Sequence, residues 1–297
     1  MADEIITGIS ADGLFRVFAV DATATVQEAQ TRHDTWSAAS AALGRTLVAT
    51  SLLAAAGLKN ADDLLTVRIK GDGPVGAIIA DGTADGTVRG YIQVPHVNLP
   101  LNLVGKIDVA KAVGKKGLLV VTKSIDGAEP FSGQVPLVSG ELGEDFAYYL
   151  SQSEQIPAAI GLSVFVNADN SIAHAGGFMV QALPGATDDA LAKLETNIKT
   201  LPLVSEMLKS GMTATQIAKR VLGMGDTGIK ILKSQPLKFA CTCSKEHFAH
   251  VIATLARKDV QQMIDQDHGA EAVCKFCGNK YHYTEEELIT LRDQEED

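Results

Sequence analysis

The sequence predicts an α+β fold: a large N-terminal domain with antiparallel sheets, then a helical linker, then a small cysteine-bearing domain. Three observations predict it. Strand-like segments come in runs with Asp-Gly and Gly-Gly turn signals between them, which favours antiparallel pairing over a doubly wound sheet. The pattern becomes helical after Leu183-Pro184-Gly185. All four cysteines fall in the last 57 of 297 residues, and residues 1–240 contain none.

Taken in order, the strand signals are runs of period two or short apolar runs at 5–9, 14–20, 65–70, 76–80, 87–93, 118–123, 162–166 and 172–181. Leu65, Val67 and Ile69 alternate with Thr66, Arg68 and Lys70, the pattern of a half-buried strand. Helices are predicted over about 24–57, with a break near Asp34, and over 142–154. The apolar run from Trp36 to Leu58 is diluted by Ser37, Ser40, Arg45, Thr46, Thr50 and Ser51, so it reads as a core helix and not as a membrane span. Beyond Gly185, Leu191, Leu194, Ile198 and Leu201 follow helical spacing. Thr213 to Gln216 has the form of a capping box ahead of Ile217 and Val221. The helical stretch covers about 185–232. The resulting domains are 1–184, a linker at 185–235 and a C-terminal domain at 236–297.

Bulk composition limits the function. Apolar residues make up 46% of the chain, enough for a sizeable core, and the formal net charge is −10. An acidic chain repels phosphate backbones and anionic lipid, so neither nucleic acid nor a membrane is the expected partner. The acidic start, Met1-Ala2-Asp3-Glu4, is unlike a signal peptide, and a cytoplasmic location follows by elimination.

The tail carries the chemistry. Cys241-Thr-Cys243 and Cys274-Lys-Phe-Cys277 are two close pairs separated by a helical insertion. Such pairs can bring four thiolates to the corners of a tetrahedron, the geometry Zn²⁺ prefers with sulfur ligands. Gly278 behind the second pair suits the tight turn of a zinc knuckle. His247, His250 and His282 lie nearby, but four thiolates already complete the shell. Ser244 can cap a helix through Phe248, Val251, Ile252 and Leu255, and Thr284 to Glu287 forms a second capping box. A domain of this size gains only ~3–5 kcal/mol from its core. A structural zinc contributes ~10–16 kcal/mol of apparent binding energy. The metal therefore dominates, and its loss unfolds the domain.

That inference leaves two readings of the cysteines: a permanent zinc ribbon or a switch. Zinc keeps sulfur in the thiolate form that attacks oxidants, and a disulfide no longer holds the metal. Four cysteines allow three pairings, and the small loops favour Cys241 with Cys243 and Cys274 with Cys277. The eleven-membered Cys-x-Cys ring is tighter than the fourteen-membered Cys-x-x-Cys ring, so the second pair is expected to close first. A nucleic-acid zinc ribbon fits poorly, because residues 236–297 hold 7 Lys and Arg against 12 Asp and Glu. A thioredoxin-like reading of Cys274 to Cys277 fails for want of a helix behind the motif. No catalytic group is assigned: Glu144, Asp145, Glu154, His174 and Ser139 have no partners in a recognisable pattern. The Gly-x-Gly-x-x-Gly matches at Gly71, Gly73, Gly76 and at Gly223, Gly225, Gly228 read as turns.

At these residues the chain resembles the heat shock protein 33 family of redox-regulated holdase chaperones. The segments Phe239-Ala-Cys-Thr-Cys-Ser-Lys-Glu246 and Val273-Cys-Lys-Phe-Cys-Gly278 carry the likeness in the tail. Gly73-Pro-Val-Gly-Ala-Ile-Ile-Ala-Asp-Gly82, Val88-Arg-Gly-Tyr91, Gly133-Gln-Val-Pro-Leu-Val-Ser-Gly140, Tyr148-Tyr-Leu-Ser-Gln-Ser-Glu-Gln155 and Ala175-Gly-Gly-Phe-Met-Val-Gln181 carry it elsewhere. The resemblance implies a non-enzymatic, ATP-independent stress-response chaperone. One Zn²⁺ on Cys241, Cys243, Cys274 and Cys277 would mark its reduced, inactive form. Oxidation to two disulfides would release zinc, loosen the linker and promote a homodimer. That form would bind unfolded or oxidatively damaged client proteins.

Overall fold

The computed structural model describes residues 2–223, 225 and 228–293. By packing, the chain separates into two compact units, residues 1–240 and 241–297.

The large unit begins with a hairpin, β1 (Glu4–Ser10) and β2 (Phe15–Asp21). Two helices follow, α1 (Thr23–His33) and α2 (Ser37–Gly57), broken at Asp34, which takes a left-handed conformation (φ 48°). A meander comes next: β3 (Leu64–Lys70), β4 (Ala77–Thr83) and β5 (Thr87–Ile92). The short α3 (Val109–Val113) leads to β6 (Leu118–Ser124) and β7 (Phe131–Pro136). Then come α4 (Gly143–Gln152), β8 (Ala158–Val166), β9 (Ile172–Ala182), α5 (Asp188–Lys199), α6 (Val204–Lys209) and α7 (Ala214–Leu222). Strands β10 (Ile229–Pro236) and β11 (Lys238–Phe239) complete the unit.

Two sheets result. The first runs β10-β1-β2-β9-β8 and is antiparallel throughout; the second runs β11-β5-β4-β3-β6-β7, with β11 parallel to β5 and the rest antiparallel. The α+β class with antiparallel sheets is therefore as the sequence predicts.

Helix α2 packs against both sheets, which explains why it is apolar on every side. Over its most apolar window 89% of the helix is buried, so a stretch long enough to cross a membrane is the core helix here. Its hydroxyls lose no hydrogen bonds by burial. Thr46, Thr50 and Ser51 donate to the carbonyls of Ala42, Thr46 and Leu47 at 2.9, 2.8 and 2.8 Å. Close approach needs glycine opposite it: a Cβ on Gly177 of β9 would sit 2.7 Å from Val48, and one on Gly90 of β5 would sit 2.9 Å from Leu47.

The outer face of the first sheet has its own apolar cluster. Ile6, Phe15, Val17, Ala19, Phe178 and Val180 pack against α6 and α7 through Val204, Met207, Leu208, Ile217 and Val221. Helix α7 starts at the predicted capping box: Thr213 Oγ1 accepts the Gln216 N–H at 3.3 Å, and Thr213 N–H donates to Gln216 Oε1 at 2.8 Å. Helix α5 is held less firmly, since none of its residues is fully buried.

Two local readings change. Residues 229–232, expected as the end of a helix, lie in β10, because Ile229 and Ile231 alternate with Lys230 and pair antiparallel with β1. The register slips between Thr7 and Gly8, a bulge that interrupts the two-residue period. Strand β7 was masked by Pro130, Gly133 and Pro136, breaker signals that an edge strand tolerates.

The small unit has α8 (Lys245–Ala253), α9 (Arg257–Asp267), the hairpin β12 (Gly269–Val273) and β13 (Lys280–Thr284), and α10 (Glu285–Asp293). Its core of fully buried residues, apart from cysteine, is Ile252, Val260, Ile264, Tyr283 and Leu288. Both expected caps form: Ser244 Oγ accepts the His247 N–H at 3.1 Å, and Thr284 and Glu287 exchange hydrogen bonds at 2.9 and 3.3 Å.

Candidate metal centre

Local structure places each cysteine pair. Cys241 and Cys243 lie on the segment that enters α8, and the Ser244 cap starts the helix immediately after the second thiol. Cys274 and Cys277 occupy the turn between β12 and β13. There Cys274 N–H donates to the Asn279 carbonyl at 2.9 Å, and Gly278 N–H donates to the Cys274 carbonyl at 2.8 Å. Gly278 is left-handed (φ 74°), so the glycine expected behind the pair is a backbone requirement. The turn also aims donors at sulfur. The N–H groups of Cys277 and Phe276 reach Cys274 Sγ, and that of Asn279 reaches Cys277 Sγ.

The four Sγ atoms all lie within 4.8 Å of one another. Cys241 and Cys274 are 3.7 Å apart, and Cys243 and Cys277 are 3.3 Å apart. Zinc–sulfur bonds of ~2.3 Å set tetrahedral sulfurs about 3.8 Å apart, so the donor set and its spacing fit one tetrahedral metal ion. The thiols are free of disulfides. Cys274 and Cys277 are buried, at 5% and 3% exposure, while Cys241 and Cys243 are half-buried.

Their acidities diverge for physical reasons. Burial pushes the Cys274 and Cys277 thiols up. Burial acts the same way on Cys243, but the Tyr281 hydroxyl and the neighbouring thiols outweigh it and bring Cys243 down to about 7. Tyr281 was not singled out from sequence. The signal available was the alternation Tyr281-His282-Tyr283 just after the knuckle, which puts both tyrosines on one face of β13. The Tyr281 hydroxyl donates to the Cys243 carbonyl at 3.0 Å and lies 3.2 Å from Cys243 Sγ. The Tyr283 hydroxyl donates to the Lys245 carbonyl at 2.6 Å.

His247, His250 and His282 are exposed, and the metal-ligating cluster found among the described residues contains cysteine alone. His282 lies 3.5 Å from Glu271. In the large unit, Asp145 and Glu154 among the acid–base candidates have structural partners. Asp145 is fully buried and accepts the N–H groups of Val138, Ser139 and Leu142 at 2.7, 3.0 and 2.9 Å, which fixes the entry to α4. Glu154 is paired, contrary to expectation: Lys123 donates to both its oxygens at 2.7 Å and Tyr149 donates at 2.6 Å. The first glycine triplet is followed by strand β4, as a turn requires. The second spans Gly223 to Gly228, with residues 224, 226 and 227 outside the described set.

Comparison with known proteins agrees over the whole chain. The family model described as "Hsp33 protein" matches residues 3–284. The 33 kDa chaperonin of Lacticaseibacillus casei is 69% identical over 296 residues, covering 100% of both chains. That of Enterococcus faecalis is 50% identical over 294 residues, covering 99% of this chain and 97% of its own. The crystal structure of the 33 kDa chaperonin (heat shock protein 33 homolog) of Thermotoga maritima superposes with a TM-score of 0.91. It has 34% sequence identity and 99% coverage of each chain.

Proposed function

The chain belongs to the Hsp33 protein family of chaperones, and on that premise we propose that it is a redox-regulated, ATP-independent holdase. In the reduced protein Cys241, Cys243, Cys274 and Cys277 hold one Zn²⁺, which when bound keeps the sulfurs as thiolates and stabilises the small unit. Oxidation pairs Cys241 with Cys243 and Cys274 with Cys277. Each disulfide forms by loss of two electrons from two thiols, and each peroxide consumed is reduced to two waters.

The four-thiol cluster carries this reading, because it sits in a unit with only five other fully buried core residues among those described. With its sulfurs tied in pairs, that unit has too little apolar core to stay folded. The segment 185–235 then loosens. What it covers is apolar: Ile6, Phe15, Val17, Phe178 and Val180 on the outer face of the first sheet. Such a face fits the unfolded or oxidatively damaged polypeptides of the cytoplasm without regard to their sequence. It also gives two oxidised copies a surface on which to dimerise.

The test measures zinc release and suppression of a model protein's thermal aggregation, before and after peroxide. Zinc loss with a gain of holding activity and of hydrophobic-dye binding is the expected result. Zinc retained, or lost without activity, would leave a constitutive structural zinc domain instead.

A further inference from the structure

We infer that Tyr281 is a positioning residue that restrains Cys243, making it slower to oxidise than its position in the cluster alone would allow. The inference deepens the redox reading above and rests on it. Its basis is the hydroxyl's double contact, 3.0 Å to the Cys243 carbonyl and 3.2 Å to Cys243 Sγ. A phenol has a single hydrogen to give. On the proposed reading the metal holds Cys243 as a thiolate, and its negative sulfur competes with the carbonyl for that hydrogen, a charge-assisted bond being the stronger one.

The ring is held so that the hydroxyl stays at this position. Tyr281 lies on β13 opposite Ala272 of β12, and its ring packs on Phe248 of α8 with centroids 5.4 Å apart. Two residues on, Tyr283 makes the same kind of strap to the Lys245 carbonyl, and among the described residues its hydroxyl does not reach a sulfur. The pair thus provides its own control. Both straps tie β13 to the segment 243–245, and only Tyr281 also reaches a nucleophile.

The consequence is chemical. Oxidation begins when a thiolate sulfur attacks a peroxide oxygen: an S–O bond forms, the O–O bond breaks and hydroxide leaves, to be protonated to water. A second thiolate then attacks the sulfenic sulfur, forming S–S and expelling the oxygen as a second water. The attack draws negative charge off the sulfur to which Tyr281 donates, so the hydrogen bond weakens as the S–O bond forms. The phenol stabilises the ground state more than the transition state, which slows the attack.

The experiment follows each cysteine separately in the full-length, zinc-loaded protein, by isotope-coded alkylation and mass analysis over a peroxide time course. Tyr281→Phe keeps the ring on Phe248 and removes the hydroxyl. We expect thiol loss at Cys243 to accelerate about threefold to tenfold relative to Cys274 and Cys277. Tyr283→Phe should leave the relative rates unchanged. Replacement of Tyr281 by 3-fluorotyrosine, a stronger donor while protonated, should slow Cys243 and keeps the test open if Tyr281→Phe binds no zinc. An unchanged Cys243 ratio in Tyr281→Phe would overturn the inference, as would an equal acceleration in Tyr283→Phe. None of these outcomes depends on chaperone activity, so a failure of the holdase reading stays distinguishable from a failure here.

Discussion

The two units hold themselves together by different means. In the large unit a single apolar helix, α2, fills the space between two sheets and joins one continuous cluster of buried side chains. In the small unit five buried core residues are arranged beside four converging thiols. The first design is stable by area removed from water, a quantity that oxidants do not change. The second, if the thiols hold a metal as proposed, depends on sulfur remaining as thiolate, a quantity that oxidants do change. On the proposed reading, one chain would combine a body indifferent to redox state with a tail that responds to it.

The largest expected effect comes from removing one thiol. In Cys277→Ser the small unit should lose amide-exchange protection throughout α8–α10, while α2 and both sheets keep theirs. The loss is set by a metal contribution of ~10–16 kcal/mol against a core worth ~3–5 kcal/mol. Retained protection in α8–α10 would erase the contrast between the units. The converse substitution is Leu52→Ala in α2, at a fully buried site. It should destabilise the large unit by ~2–5 kcal/mol in denaturant while leaving zinc content and thiol reactivity untouched. Zinc loss in that variant would mean the two stabilities are coupled.

A smaller effect sharpens the comparison within the large unit. Thr213→Ala removes the N-cap of α7 at a cost of ~1 kcal/mol. Exchange in residues 214–222 should quicken and dye binding should rise in reduced protein, because α7 covers the apolar outer face of the first sheet. Unchanged dye binding would show that this cover does not open locally. The smallest effect is acid sensitivity at Asp63. Its carboxylate accepts the N–H groups of Asn60, Lys59 and Asp126 at 2.9, 3.0 and 3.2 Å, which brings its pKa down to about 2. The folded value is below the unfolded one of about 3.9, so this contribution is complete above that value and fades as pH falls toward about 2. Thermal midpoints of wild type and Asp63→Asn should therefore differ at neutral pH and converge near pH 2. A gap independent of pH would exclude the titration.

Much of this was legible in the sequence because the signals were local. Alternation marked β3, capping boxes marked α7 and α10, and paired cysteine spacing marked the cluster that the fold brings together. The misses were matters of tertiary context. Strand β10 is defined by its partner β1, more than two hundred residues earlier, and its bulge at Thr7 and Gly8 blurs the period a reader would look for. Strand β7 survives its prolines only because it is an edge. Glu154 looked solvated until Lys123, thirty-one residues away, proved to be its partner. Tyr281 could not be tied to Cys243 without knowing that β13 passes beside the entry to α8.

The pairing of β10 with β1 also bears on how the protein is made. Strand β1 leaves the ribosome more than two hundred residues ahead of residues 229–236, one of its two neighbours in the sheet. Until that segment emerges, β1 has an open edge, and the helices that shield the outer face of its sheet, α5 to α7, are themselves late to arrive. The nascent large unit thus passes through a stage in which its own apolar sheet is bare, a hazard typical of long-range strand pairing. A chain that masks that sheet only with these later segments must itself be kept from aggregating until they emerge.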